Sequence, residues 1–471
     1  MRRKTKIVAT ISDRNCEPEF LKQLYDAGMD VVRLNTAHQT HEDALKVIEN
    51  VRKVSNKIAI LIDTKGPEIR TCGADTPLTV AYGDFIQIKG APDERSAGNI
   101  IYVSYPGFVN DVPVGTTILI DDGSIALTVK ERNSDFLTCF VENDGIIYGR
   151  KSVNIPAVHV KLPALSEKDK GFIRFAADNH VDFIAHSFVR HREDVLAVQR
   201  ILDERKSTIK IIAKIENSGG VENIDEILEV AYGIMIARGD LAVEIPAEKI
   251  PLVQKALVRR CIEKRAPVIV ATQMLHSMMT SPRPTRAEVS DVANACLDST
   301  DALMLSGETA SGKYPLLAVQ TMAKIANEVE TNRSTYINTP YTLENKITGY
   351  LAKSAVKASM RLNTEAIVAD SITGTTIRAI AAYRGDNPIY AQTYDEKVMR
   401  ELALSFGVHA DTIQREEATT IPIRKAILRL IEQGILKEDT LITVLAGHFG
   451  SDHGASYIEI STAKRMMARG C

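Results

Sequence analysis

The chain has 471 residues, 45% of them hydrophobic and 25% charged, and its 58 Lys and Arg against 60 Asp and Glu give a formal net charge of −2. At roughly 150 residues per domain that length predicts about three globular domains. So even a charge balance excludes a chain whose main business is coating nucleic acid or an acidic membrane, and no apolar run approaches the roughly 18 residues of a membrane span.

The basic start Met1-Arg2-Arg3-Lys4 is followed by only a short apolar stretch, which meets Ser12-Asp13-Arg14 at once, so an unexported chain is expected. From there short apolar runs recur, at 6–11, 31–35, 58–63, 181–187, 209–216, 233–240, 268–272 and 302–306, each followed by residues of helical period. Runs apolar on both faces fit parallel strands covered by helices. Eight strand–helix units close a (β/α)₈ barrel. Between the third strand and its helix (167–180) lie about ninety residues that alternate apolar and polar, with turn signals at Asp122-Gly123 and Asp144-Gly145. They read as a small β-barrel domain inserted in the third βα loop, placed as a lid over the catalytic face. A polar segment at 331–345 with Pro340 reads as a linker, and beyond it strands and helices alternate again in a C-terminal three-layer α/β domain. The expected boundaries are 1–70 and 158–335 for the barrel, 71–157 for the insert, and 346–471 for the C-terminal domain.

The six cysteines show no CxxC and no paired spacing, so neither a disulfide framework nor a zinc site is expected, and the compartment is the reducing cytoplasm. In a (β/α)₈ barrel the reactive groups sit at the C-terminal strand ends. Those ends carry Thr10, Arg33 and Asn35, Asp63 and Thr64, Ser187, Lys214 and Glu216, Arg238 and Asp240, Thr272, and Ser306 with Glu308. Two carboxylates from neighbouring strands, Glu216 and Asp240, suit one divalent cation of the Mg²⁺ kind. Lys214 projects to the same face and suits negative charge developing on a substrate oxygen, while Arg33 and Arg238 are candidate holders of phosphate or carboxylate. A single charged strand end is more often a structural ion pair, and Arg238 with Asp240 fits that description too. The residues alone point to metal-assisted chemistry on a small anionic substrate, with enolate and phosphoryl chemistry both open.

Lys214-Ile215-Glu216-Asn217, Ala237-Arg238-Gly239-Asp240-Leu241, Ala271-Thr272-Gln273-Met274-Leu275, Asp63-Thr64-Lys65-Gly66-Pro67-Glu68-Ile69-Arg70, the run from Pro282 to Glu288 and Leu305-Ser306-Gly307-Glu308-Thr309-Ala310 resemble the signature segments of the pyruvate kinases, in the right order over essentially the whole chain. The resemblance implies Mg²⁺-dependent phosphoryl transfer from phosphoenolpyruvate to ADP giving pyruvate and ATP, the last step of glycolysis. It implies that Lys214 stabilises the transition state and Arg33 holds the phosphate. Gly239, Asp240 and Thr272 would hold the carboxylate, with Thr272 a link in proton delivery. Glu216 and Asp240 would ligate Mg²⁺, or Mn²⁺ in its place, and a second Mg²⁺ would arrive with the nucleotide. Asn35, His38, Arg70 and, from the insert, Lys151 would meet the nucleotide. Asn35, Asp63 and Thr64 would hold K⁺. A homotetramer is implied as well.

The family's usual Arg-Leu-Asn-Phe-Ser-His-Gly reads Arg33-Leu34-Asn35-Thr36-Ala37-His38-Gln39, so the serine that lends a hydroxyl to K⁺ is missing, while Glu68 is the residue type that accompanies K⁺ dependence. Ser12-Asp13, Ala242 and His276 also depart from the usual residues. The loop Ser371-Ile372-Thr373-Gly374-Thr375-Thr376 is similar to the sugar-phosphate effector loop of many members; its other reading is a well-capped helix. The final turn from Gly447 to Gly454 lacks the arginine that some members use in that pocket. Two alternatives stand beside the kinase: a non-catalytic relative that binds the metabolite and regulates, and a Mg²⁺-dependent barrel lyase that forms an enolate without nucleotide.

Overall fold

The computed structural model describes residues 3–74, 76–156, 158, 160–332, 346–414, 420–447 and 454–468. Eight parallel strands close a barrel: β1 (Lys6–Thr10), β2 (Val31–Asn35), β3 (Ala59–Asp63), β4 (Phe183–His186), β5 (Lys210–Ile215), β6 (Gly233–Ala237), β7 (Val268–Ala271) and β8 (Ala302–Leu305), with β8 pairing back to β1 through Ala9 and Leu305. Period-two alternation sends one set of side chains inward, Val8, Val31, Ala59, Leu61, Phe183, Ala185, Ile212, Met235 and Ile269 among them. The intervening residues, such as Ile60, Ile62 and Ile211, pack outward onto the helices. The same alternation continued to the strand ends places Thr10, Arg33, Asp63, Ser187 and Lys214 on the inward face at the top.

The helices are cut by local chemistry. Thr40 with Asp43, Ser166 with Asp169 and Thr285 with Glu288 form reciprocal capping boxes at three helix starts. Most expected strands are displaced by a residue or two at their ends. The run at 233–240 differs more: the strand stops at Ala237, and Arg238–Glu244 is a short helix. Asp240 therefore reaches the site from the first turn of a helix, where a carboxylate is favoured.

The inserted segment forms a six-stranded sheet, ordered Val153–Asn154, Thr117–Ile120, Ile125–Arg132, Leu137–Val141, Phe85–Gly90 and Ile100–Val103, beside the pair Leu78–Val80 and Gly145–Ile147. Arg70 bridges to Ser152 next to one edge strand and Thr71 to Val103 in the other, which draws the sheet into a small barrel. Asp121, Asp122 and Gly123 all take positive φ at the first expected turn. Asp144-Gly145 is not a hairpin tip: Gly145 opens a strand, and a Cβ there would lie 2.2 Å from Cδ1 of Ile125.

Beyond the helix Lys346–Arg361, five strands stand in the order β11-β10-β9-β12-β13: β9 (Ala366–Asp370), β10 (Ile389–Thr393), β11 (Val408–Thr412), β12 (Leu441–Ala446) and β13 (Tyr457–Thr462). Ile367 and Ala369 face one helical layer, Ala366 and Val368 the other. The last strand is antiparallel, an addition to the expected alternation. Residues 333–345 of the expected linker and 448–453 of the final turn lie outside the described residues. This unit closes the lower end of the barrel. Leu404 joins the barrel's interior cluster, Arg384 forms a two-pronged pair with Asp301 at 2.9 and 2.6 Å, and Arg400 meets the fully buried Asp182, which Arg52 also holds at 2.9 Å.

Candidate active site

A cavity of about 460 Å³ opens between the C-terminal rim of the barrel and the insert, lined by Arg33, Asn35, Asp63, Thr64, Ser187, Lys214, Glu216 and Asp240 from the rim and by Arg70, Asp121, Asp122 and Lys151 from the other side. At its floor lies one connected ionic network. Lys214 Nζ stands 2.9 Å from Glu216 Oε1 and 3.1 Å from Asp63 Oδ1, and donates to Ser187 Oγ at 2.7 Å. Arg33 Nε donates to Asp63 Oδ2 at 2.7 Å and its Nη1 to Thr10 Oγ1 at 3.1 Å. The Ser187 hydroxyl donates in turn to the Thr64 carbonyl at 2.6 Å, and its backbone N–H donates to Thr64 Oγ1 at 3.1 Å.

Burial and charge act against each other here. For Asp63, burial favours the neutral acid, but Arg33 and Lys214 together outweigh it and hold the carboxyl below its usual range. Burial also works against the Lys214 ammonium, yet Asp63 and Glu216 win and keep it charged. Glu216 goes the other way: burial, reinforced by neighbouring Asp240, lifts it to about 7 despite Lys214. Burial likewise raises Asp240. Two buried carboxylates that resist sharing negative charge are a donor set that a divalent cation relieves.

Beside the network, Thr272 and Gly239 are joined across neighbouring strand ends. Thr272 takes a left-handed φ of +70°, and its Oγ1 accepts from Gly239 N–H at 2.7 Å. That conformation strains a β-branched residue. Arg238 supports it, donating to the Thr272 carbonyl at 2.9 Å while paired to Asp291 at 2.6 and 2.7 Å. Arg238 is therefore not a free ligand holder, nor is it paired with Asp240; Asp291 takes it because the Arg238–Glu244 helix turns its side chain toward the helix Arg286–Leu297.

Several expected residues stand apart. Gly239 and Thr272 lie beside the cavity rather than among its lining residues, and His38 is exposed and outside it. Arg70 pairs with Glu68 and donates to the Arg150 carbonyl at 2.7 Å; Lys151 pairs with Asp121 at 3.0 Å. Ala37 lines the cavity without a side-chain oxygen, and Asn35 Oδ1 accepts from its N–H at 3.2 Å. The loop with Ser371, Thr373, Gly374, Thr375 and Thr376 does join strand to helix, and Arg378 reaches back to Thr373 O and Thr375 Oγ1. Ser187 stands at the centre of the network, and its one signal in the sequence is its place two residues past inward-facing Ala185. Asp291 carried none.

The family model described as the barrel domain of pyruvate kinase matches residues 2–319, and that of its alpha/beta domain matches 350–461. A pyruvate kinase of Borreliella burgdorferi is 48% identical over 466 residues, covering 98% of this chain and 97% of that one. One of Bacillus licheniformis is 43% identical over 99% of this chain and 82% of its own length. The crystal structure of a pyruvate kinase from Cryptosporidium parvum superposes with a TM-score of 0.92 at 36% identity, covering 98% of this chain and 96% of that one.

Proposed function

From the premise that the chain belongs to the pyruvate kinase family, we propose how its residues move a phosphoryl group from phosphoenolpyruvate to ADP. The observation that carries the reading is the Lys214 ammonium, charged and buried, held between Asp63, Ser187 and Glu216 at the floor of a cavity walled by two domains. Arg33 and Lys214 hold the transferring phosphate, and Thr272 with the Gly239 and Asp240 backbone holds the carboxylate. Arg70 and Lys151 leave their present partners to receive the ADP phosphates. An ADP β-phosphate oxygen then bonds to phosphorus, the bond to the enol oxygen breaks, and Lys214 balances the charge left on that oxygen. The enolate takes a proton at its methylene carbon, delivered through the Thr272 side of the pocket, to give pyruvate.

Glu216 and Asp240 fit Mg²⁺, or Mn²⁺ in its place, since both are buried carboxylates that burial pushes toward neutrality and that a bound cation would hold ionised. When bound, such an ion supplies positive charge for the phosphate oxygens. Asn35, Asp63 and Thr64 fit K⁺ less fully, because Ala37 leaves one oxygen to be supplied by water. Assembly as a homotetramer and residence in the cytoplasm belong to the same reading; the exposed Ile347 and Tyr350 on the helix Lys346–Arg361 support the first, and among the described residues no helix is long and apolar enough to cross a membrane. The loop at 371–376 is the place to look for a sugar-phosphate effector, with Arg378 as its added cation. The matches along both family domains favour the kinase over a lyase or a non-catalytic relative. The test is pyruvate formation from phosphoenolpyruvate and ADP with Mg²⁺, in K⁺ and in Na⁺. Folded protein that binds phosphoenolpyruvate and forms no pyruvate overturns it.

A further inference from the structure

The insert is joined to the barrel by two chain crossings, an outgoing one after β3 and a returning one before the helix Glu167–Asp178. Both meet on a single side chain. Asp169 is fully buried, and its Oδ1 accepts from the outgoing backbone at Lys65 N–H (2.9 Å) and Gly66 N–H (3.4 Å). Its Oδ2 accepts from the returning chain at Ser166 N–H (3.1 Å) and Ser166 Oγ–H (2.6 Å). Gly66 has a φ of +73°, and a Cβ there would lie 2.7 Å from Ser187 Cβ, so the outgoing loop is pressed on the rim beside the ionic network. A second clasp acts higher on the returning chain: Arg190, locked to Asp194 at 3.1 and 3.0 Å, donates to Leu162 O at 3.2 Å and Val160 O at 3.4 Å.

A helix cap needs only Ser166 and Asp169; the bonds to Lys65 and Gly66 lie outside that motif. We propose that Asp169 is a positioning residue for phosphoryl transfer: its carboxylate pins both crossings together and so sets where the insert holds Lys151 over the cavity. The proposal rests on the kinase reading for its kinetic consequence, though not for the clasp itself. Residues that hold phosphoenolpyruvate stand on the barrel, whereas Lys151 rides on the insert. Loosening the pin therefore weakens the nucleotide side and leaves phosphoenolpyruvate binding alone. It also admits water as the competing acceptor: water bonds to phosphorus, the enolate leaves and is protonated, and inorganic phosphate appears without ATP.

The experiment compares full-length Asp169→Ala, Asp169→Asn and Ser166→Ala with wild type by steady-state kinetics, calorimetry of phosphoenolpyruvate with Mg²⁺, phosphate release per pyruvate, and backbone hydrogen exchange at Lys65 and Gly66. Losing the charge-assisted bonds of Asp169→Ala should raise KM for ADP and the exchange rates about tenfold each, with a measurable excess of phosphate over ATP. Phosphoenolpyruvate affinity should stay within about twofold. Ser166→Ala, which loses the Oγ–H bond but keeps the Ser166 N–H bond and both outgoing bonds, should change each by no more than about twofold, well short of Asp169→Ala. Should Asp169→Ala fail to fold, Asp169→Asn decides: with one carbonyl oxygen for two crossings it should raise the ADP KM and the exchange about threefold or more. Wild-type kinetics and exchange in a folded Asp169 variant, or the same changes in Ser166→Ala, overturn the proposal. If wild type itself makes no pyruvate, the kinase reading fails and the exchange data still judge the clasp.

Discussion

Lys214 and Glu216, two residues apart on and just beyond one strand, face the same cavity with Nζ and Oε1 separated by 2.9 Å. The ammonium lowers the cost of the buried carboxylate, and the carboxylate keeps the ammonium charged in a site that would otherwise neutralise it. Lys214→Met should therefore cut kcat by about 10³-fold or more, since it removes charge stabilisation made in the transition state. Arg33 remains, so phosphoenolpyruvate binding measured by calorimetry should survive. Near-normal turnover would take Lys214 out of the mechanism.

Burial, with Asp240 beside it, pushes Glu216 up from 4.5 to about 7 in the fold. Between those values the folded protein holds more protons than the unfolded chain, so this group makes stability fall as pH rises from about 4.5 to 7. On the proposed reading, a divalent cation takes the place of the proton. The increase in Tm on adding Mg²⁺ should accordingly be larger at about pH 8 than at about pH 5.5, and Glu216→Gln should shrink that difference. An equal gain at both values would separate Glu216 from the metal.

His186 shows the opposite linkage. It is wholly buried, and burial pushes it down from 6.5 to about 4. In that interval the unfolded chain binds the extra proton, so the contribution is fully present above about 6.5 and is lost as pH falls toward 4, roughly 3 kcal/mol in all. His186→Ala should lower stability by its cavity, but the slope of stability against pH between about 4 and 6.5 should flatten by close to one proton. Denaturant titrations across that range measure it, and an unchanged slope rules the assignment out.

Placing a hydroxyl beside Asn35 and Asp63 tests the proposed K⁺ site. Ala37→Ser should lower the K⁺ concentration for half activation by about threefold to tenfold, the worth of one oxygen ligand replacing a held water. No shift would mean that K⁺ binds elsewhere.

Much of the architecture could be read along the chain because a closed parallel barrel makes its strands apolar on both faces and puts charge at one rim. Arg33, Asp63, Lys214 and Glu216 were legible for that reason, each an expensive residue at the end of an inward-facing register. What escaped reading depends on pairings between distant segments. Arg238 has the strand-end place of a ligand holder, yet Asp291, fifty-three residues on, holds it. Asp240 has the sequence position of a strand end, yet the strand stops at Ala237 and a helix begins at Arg238, two residues before it. The helix expected from residue 167 does start there, and nothing in the local sequence shows that Asp169, in its first turn, reaches back to Lys65.

Asp182, gripped by Arg400 from the C-terminal unit, and Ser187, which receives the Lys214 proton donor, bracket β4. Only the four residues Phe183–His186 lie between them, so five extended steps put the two about 16 Å apart. An arginine anchored below the barrel and a serine at the reacting end above it are thus fastened to opposite ends of one taut strand. That strand is bonded on both sides to its neighbours and contains no loop to take up slack.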